Sequence, residues 1–255
     1  MEIISFDISG KFAHFRKFYA NNTAMSYFIP PRTTIIGMLA ALLGKDKNSY
    51  YESMASDKLR IGVRILCPLK KSFHRLNFLK ILGTGDFRGR QGRVQTPFEI
   101  VSGMRPGSDD VKYRIYISCF DTGKDVFDEL ESAFQTQNFK YNLTLGTANF
   151  SASAFRFQFY DQSQIELVNG GDDFSIIHSA LCSDKANEIG FEKNRKLFIE
   201  EELIPCDFVK NGDREVSKMN RVIYSINELP IPVKLEGEYY KLSGTSETEH
   251  ITFIE

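Results

Sequence analysis

The sequence is poor in the residues that usually build reactive centres. It has no tryptophan, four cysteines and four histidines in 255 residues. Cys67, Cys119, Cys182 and Cys206 lie far apart with no CxxC pair. That excludes a zinc ribbon and a disulfide framework, and it fits free thiols in a reducing compartment. His14, His74, His178 and His250 are equally scattered. The paired carboxylates, Asp172-Asp173 and Glu200-Glu201-Glu202, are adjacent in sequence. Neighbours on a strand point to opposite faces, so they make poor shared ligand sets. No metal and no cofactor are expected. Gly83-x-Gly85 and Gly89-x-x-Gly92 lack the lysine ending of a phosphate-binding P-loop, and no GxSxG occurs. The longest apolar run, residues 35–43, is far too short to span a bilayer. Met1-Glu2-Ile3 opens directly on strand-like residues rather than on a leader. The expectation is a cytoplasmic protein with no membrane partner.

What the chain does have is aromatic mass and a split of charge. Twenty-two Phe and eleven Tyr can build a substantial core. The net charge of −1 hides a polarity: residues 1–120 carry 19 Lys/Arg against 9 Asp/Glu (+10), and residues 121–255 carry 13 against 24 (−11). Such a split predicts a polyanion partner for the first half. The acidic half would fend off nucleic acid or dock a basic partner.

Ile3, Ile4, Phe6 and Ile8 read as a first strand, ended by Gly10, where a positive φ would be tolerated. Lys11 to Tyr19 interleaves cations with aromatics on a loop. Pro30 and Pro31 forbid helix before residue 31, Thr33 is the expected N-cap, and Ile35 to Leu43 form an apolar, buried helix closed by Gly44. Asn48–Ala55 reads as a short helix, Leu59–Leu66 as a strand. Lys70–Leu82 fits neither period cleanly and reads as a strand or a helical piece; taken as a strand, it and Val94–Val101 are the arms of a long hairpin. Its tip, Gly83 to Arg93, has four glycines and three arginines, a composition that makes a basic loop and not a core. Lys112–Cys119 is a strand, Asp125–Phe134 a helix, Leu143 to Phe150 a glycine-containing turn, and Ala152–Phe159 a strand. The order β-α-β-β…β-α-β is the split-βαβ, ferredoxin-like pattern, with helices on one face and the other face free to bind. Residues 161–255 alternate turn clusters with short apolar runs at Phe174–Leu181, Lys196–Ile204, Glu215–Tyr224, Val233–Leu235 and Thr252–Ile254. They read as β-rich and are compatible with a second, degenerate ferredoxin-like half. The expected division is a palm, residues 1–160, carrying a hairpin at about 70–101, and a carboxy-terminal region, residues 161–255.

Gripping a single RNA strand needs cations for phosphates and flat side chains or backbone amides for splayed bases. Lys11, His14, Arg16 and Lys17 with Phe15 and Tyr19 offer this on one loop. Arg32 stands at a helix start, where amides and the dipole favour phosphate. Lys80, Arg88, Arg90 and Arg93 offer it on the hairpin, and Gly146-Thr147-Ala148-Asn149 brings backbone close.

Gly10-x-Phe12-Ala13-x-Phe15 followed by Pro30-Pro31-Arg32-Thr33-Thr34-x-x-Gly37-Met38-Leu39-x-Ala41-x-x-Gly44 resembles the CRISPR-associated (Cas) protein family five. Gln95-Thr96-Pro97-Phe98-Glu99, Tyr113 to Ile117 and Tyr141 to Gly146 agree with it, so the likeness covers about residues 1–160. The resemblance implies an α+β, ferredoxin-like (RRM-related, RAMP superfamily) palm with a projecting β-hairpin thumb and a smaller β-rich carboxy-terminal half. It implies a non-catalytic subunit of an antiviral type I Cascade, closest to subtype I-B. Such a subunit caps the crRNA 5′ handle and bridges a Cas-seven family backbone subunit and a Cas-eight family large subunit, with target DNA near the PAM engaged indirectly. Carried over by motif, Gly10, Lys11, Phe12, His14, Phe15, Arg16 and Arg32 would hold the handle. Lys80, Arg88, Arg90, Arg93 and Gln95 would pin the RNA at the thumb, and Gly146, Thr147 and Asn149 would give a further contact. The alternative is a metal-independent crRNA-processing endoribonuclease of the same fold. Its acid and base would come from His14, His74, Tyr50 or Tyr51, and Lys112. Processing members use a Tyr, a Lys and a His, and here Lys112 is followed by Tyr113. A protein-interaction module with incidental charge polarity is a third reading.

Overall fold

Alternating apolar residues make the first strand, β1 (Ile3–Gly10), and its two faces organise the molecule. The computed structural model describes residues 1–21, 23–191, 196–210, 213–244 and 248–255. After β1 come two short strands, β2 (Phe15–Arg16) and β3 (Ser26–Tyr27), then helix α1 (Arg32–Leu43) and strand β4 (Leu59–Ile65). The hairpin β5 (Leu69–Leu79) and β6 (Arg93–Gly103) follows, then β7 (Val111–Cys119), α2 (Lys124–Thr136), β8 (Leu143–Thr144) and β9 (Ser151–Tyr160).

β4, β7, β1, β9 and β8 pair in that order, every pair antiparallel. α1 therefore lies between two parallel strands, β1 and β4, that flank β7, and α2 leads from β7 through the short β8 to β9, which is parallel to β7 with β1 between them. One sheet face carries Phe6 and Ile8, Ile61 and Val63, and Ile115 and Ile117, the period-two set of three strands. Against it pack Ile35, Ile36, Leu39 and Leu42 of α1 and Phe127, Leu130 and Phe134 of α2. At about 25 cal/mol per Å² of apolar surface this is the main stabilising layer.

Local details depart from the sequence expectation in three places. The helix begins at Arg32, with Pro31 as N-cap and no side-chain cap, so Thr33 sits inside the first turn. Gly44 closes it in the left-handed conformation at φ 73°, its amide reaching the carbonyls of Ala40 and Ala41. Asn48–Ala55 forms turns, with Asn48 at φ 67°, instead of a helix. Gly10 does not use a positive φ. It is extended, and a Cβ there would come within 2.7 Å of the Ser151 carbonyl oxygen.

The carboxy-terminal strands are β10 (Ile165–Asn169), β11 (Ser175–Ile177), β12 (Leu181–Cys182), β13 (Ala186–Ile189), β14 (Ile199–Phe208), β15 (Val216–Ser225), β16 (Ile231–Leu235), β17 (Glu238–Ser243) and β18 (Thr248–Ile251). They form three three-stranded sheets, ordered β10-β17-β18, β11-β16-β13 and β12-β15-β14. No α-helix occurs after Thr136 among the described residues, so nothing there supplies the crossovers of a second ferredoxin-like half. β10, β13, β17 and β18 lie outside the runs expected from the sequence, and the Thr252–Ile254 run follows β18 instead of being a strand.

The second face of the five-stranded sheet is not free. Ile3, Tyr116 and Tyr160 pack against Tyr240, Leu242, Ile251 and Phe253. Without the sheet beneath them, these carboxy-terminal residues would leave their apolar side in water. Ala180, Ile204, Val222, Tyr224 and Ile254 join the core of the first half as well. The two halves also neutralise each other: Lys17 and Lys71 pair with Glu202, and Arg64 and Arg114 with Glu249. The acidic half is in part the counter-ion of the basic half.

Candidate nucleic-acid interface

Residues 11–21 and 23–25 leave β1 and wrap over the base of the hairpin. The Ala13 and Val101 amides and carbonyls exchange hydrogen bonds at 2.9 Å, and the Ala24 amide donates to the Pro97 carbonyl at 2.9 Å. Glu99, buried in β6, accepts from the Ser26 amide at 2.7 Å. His14 stacks on Phe98 with ring centres 3.9 Å apart, and its Nδ1 lies 2.7 Å from the Glu99 carbonyl oxygen, so it is the donor. Burial pushes the His14 pKa down, with Arg16 adding to the effect, which keeps the imidazole neutral.

From the other side comes the turn after β8. The His14 amide donates to the Leu145 carbonyl at 3.0 Å. Gly146 sits at φ 95°, and any Cβ there would run into the His14 carbonyl. Only glycine meets both conditions. Loop, hairpin and turn thus enclose a groove of about 740 Å³, lined by His14, Phe15, Arg16, Thr34, Phe78, Val94, Thr96, Phe98, Gly146 and Thr147 among others. A smaller cleft of about 310 Å³, with Tyr50, Asn142 and Thr144, adjoins it and shares Thr34 and Gly146.

The groove brings together much of the expected set. His14, Phe15, Arg16, Gly146 and Thr147 line it. Arg16 is exposed and donates to the Ala20 carbonyl at 3.1 Å. Phe15 is buried, edge-on to Tyr113 at 5.8 Å, so it contributes a wall more than a stacking surface. Phe12 is half-buried against Phe150. Lys11 is exposed and paired with Asp110 at 2.7 Å, and Asn149 is exposed beyond the turn. Lys80, Arg88, Arg90 and Arg93 are exposed on the hairpin, and none of them is ion-paired among the described residues. The apolar side chains beside them are also bare: Leu82 is 75% exposed and Phe87 69%.

Three expectations need correcting. Arg32 is wholly buried. Its guanidinium meets Glu255 Oε1 at 3.0 Å and Asp207 Oδ1 at 2.8 Å, and it donates to the carbonyls of Met54, Leu59 and Cys206. With its donors spent inside, it is a strut between the two halves and has nothing left for a phosphate. Gln95 and Arg93 alternate along β6 with Val94, Thr96 and Phe98, so they face away from the groove, opposite Asn77 and Leu79. The groove face of the hairpin is instead Phe78, Val94, Thr96 and Phe98. The period-two rule applied to Val94–Val101 carries that signal, since it sets Val94, Thr96 and Phe98 on one face. Lys17 is buried too: burial works against its charge, but its ion pair with Glu202 prevails and holds the pKa up.

Tyr50 and Lys112, named above for acid–base roles, are not in the groove: Tyr50 lines the adjoining cleft, and Lys112 a cleft on the far face of the sheet. His74 lies on the groove-facing side of the hairpin by register, bonded to Ser72 at 3.0 Å. Among the described residues no three His, Cys, Asp or Glu side chains are grouped as a metal would require, and no helix is long and apolar enough to cross a membrane.

An antiparallel α+β fold with a projecting basic hairpin beside a groove defines the class. Residues 3–102 match the family model described as CRISPR-associated protein (Cas_Cas5). The match spans β1, α1, β4 and the hairpin, the stretch in which the Gly10–Gly44 pattern lies. No curated protein matches the sequence. Among solved structures, a CRISPR protein from Archaeoglobus fulgidus is similar over 100% of both chains with a TM-score of 0.57 and 14% identity. At that identity it shows the fold alone. A structure described as a Cas protein (TM-score 0.49, 13% identity, 89% of this chain and 95% of that one) and a chain of a CRISPR RNA-guided surveillance complex (0.47, 13%, 89% and 91%) are more distant.

Proposed function

We propose that this protein is a non-catalytic crRNA-binding subunit of a type I Cascade, closest to subtype I-B. It caps the 5′ handle and bridges a Cas-seven family backbone subunit and a Cas-eight family large subunit, with target DNA near the PAM engaged indirectly. In this reading the β4-β7-β1-β9 sheet with its two helices is a ferredoxin-like palm, the β5–β6 hairpin is the thumb, and the protein works in the cytoplasm. One observation carries it: the Gly10–Arg16 loop, the hairpin and the Gly146 turn share a single groove although they lie far apart in sequence. The handle lies along Arg16, Phe78, Thr96 and Gly146 and passes to the unpaired cations of the thumb. The non-catalytic reading is supported by the position of Tyr50 and Lys112, which line two other clefts and so leave His14 and His74 without those partners in the groove.

Filter binding of handle RNA as a function of salt tests the proposal. Replacing Arg88, Arg90 and Arg93 by alanine should weaken binding and flatten the log K against log salt slope by about 2, at about 0.7 per phosphate on a single strand. Affinity and slope that do not move would overturn it. Repeat RNA cut in EDTA by the pure protein, with cutting lost in His74→Ala, would favour the endoribonuclease instead.

A further inference from the structure

A second cationic site lies on the opposite face of the sheet, away from the groove. Arg64, Lys112, Arg114 and Arg156 line a cleft of about 370 Å³ with two buried carboxylates, Asp7 and Glu249. Arg114 is consumed internally: Nε donates to Asp7 Oδ1 at 2.6 Å, Nη2 to Asp7 Oδ2 at 3.0 Å and Nη1 to Glu249 at 2.9 Å. Arg64 also pairs with Glu249. Lys112 and Arg156 are different. Lys112 is exposed and in no ion pair among the described residues. Arg156 is 70% exposed and only approaches Asp7, at 3.7 Å, beyond hydrogen-bond reach. Four cations over two carboxylates leave a surplus of positive charge, set on a framework that Arg64, Arg114 and the carboxylates hold rigid.

An independent backbone observation points to the same place. The pairing of β1 with β9 slips between Ser5 and Asp7, so that two residues of β9, Arg156 and Phe157, stand opposite Phe6. Arg156 takes φ 54° at this bulge. A left-handed arginine is disfavoured, and bulges of this kind re-aim a side chain. Here the bulge lets Phe157 keep its place in the core with Phe6 and Phe134 while Arg156 turns to the cleft. Gln158 and the Tyr160 hydroxyl, bonded to each other at 2.9 Å, add uncharged polar groups on the same side.

We propose that this cleft binds a phosphate group of a nucleic-acid strand separate from the one in the groove, with Lys112 and Arg156 as the contacting cations and Arg64 and Arg114 as the supporting field. The site does not depend on the handle-binding reading, because it shares no lining residue with the groove.

The test titrates a short labelled oligothymidylate, and separately inorganic phosphate, into the full chain with and without handle RNA. Arg156→Gly removes the cation and relieves the positive φ, so the fold is kept or stabilised; Lys112→Ala is the second variant. Combined, they should weaken oligothymidylate binding at least about tenfold and leave handle RNA binding and the melting midpoint unharmed. Displacement of the oligonucleotide by inorganic phosphate fits a strand phosphate. Phosphate bound in the same residue-dependent way, with no oligonucleotide binding, assigns the cleft to a free phosphate and overturns the strand. Affinities for both probes that are indifferent to the two substitutions, in chains that melt normally, overturn the site altogether. Loss of handle RNA binding in Arg16→Glu with oligothymidylate binding intact would separate the two interfaces.

Discussion

Arg32→Met is the substitution that best separates the sequence reading of that arginine from the structural one. The guanidinium makes five hydrogen bonds to five residues, three of them carbonyls and two of them carboxylates. Methionine fills much of the volume but removes every donor. Asp207 keeps the Ser56 amide at 3.0 Å, and Glu255 keeps the Ile61 amide at 2.5 Å. Neither recovers a counter-charge. Burial already pushes the Glu255 pKa up against the pull of Arg32, so in the variant Glu255 will hold its proton more tightly still. Breaking one member of a buried pair costs about 3–5 kcal/mol. In a chain of this size about 1 kcal/mol moves the midpoint by roughly 2–4 °C, so the thermal midpoint should fall by roughly 6–20 °C. Circular dichroism melts measure it, and filter binding well below the midpoint measures RNA affinity, which should be unchanged. An unmoved melt together with lost RNA binding would refute the strut and restore the phosphate contact. Arg32→Lys, which keeps the charge but cannot span three segments, should fall between.

Gly146→Ala should cost about 1–3 kcal/mol from the positive φ alone. It must also push the turn off the His14 carbonyl, so handle RNA affinity should drop with the melt; unchanged values in both assays would argue against the groove. His178 gives a pH dependence. Burial, with Arg64 beside it, lowers its pKa from 6.5 to about 4. As pH falls from 6.5 toward 4 the unfolded chain takes up a proton that the folded chain refuses. Stability is therefore lost through that window, by at most about 3 kcal/mol. His178→Asn, which can still accept from the His250 amide, should flatten urea-denaturation stability between pH 6.5 and 4; identical curves would count against the assignment.

The elements of residues 1–160 were legible because their signals are local. Ile3–Ile8 and Lys112–Cys119 alternate, Pro31 and Gly44 bracket a helix, and the glycines and arginines of 83–93 can only be a tip. The groove is half legible: local composition marks the Gly10–Arg16 loop and the Gly146 turn, whereas Phe78, Val94, Thr96 and Phe98 of the hairpin are apolar or uncharged and carry no local sign that they line a groove. The carboxy-terminal half was harder, since its strands are short and their partners non-sequential. Charge polarity was read correctly as a sum and incompletely as a surface, because a sum does not say which cations already have carboxylates.

The sequence by itself determined the main strands of residues 1–160, both α-helices and a projecting basic hairpin, since period, turn residues and capping act over a few residues. Tertiary structure alone decided the fate of individual charges. Arg32 and the hairpin arginines look alike in the sequence. They differ because Asp207 and Glu255 reach Arg32 from across the fold, whereas Lys80, Arg88, Arg90 and Arg93 stand beyond the reach of any described carboxylate. The cost of burying a charge depends on partners brought close by chain folding, and no local pattern encodes them.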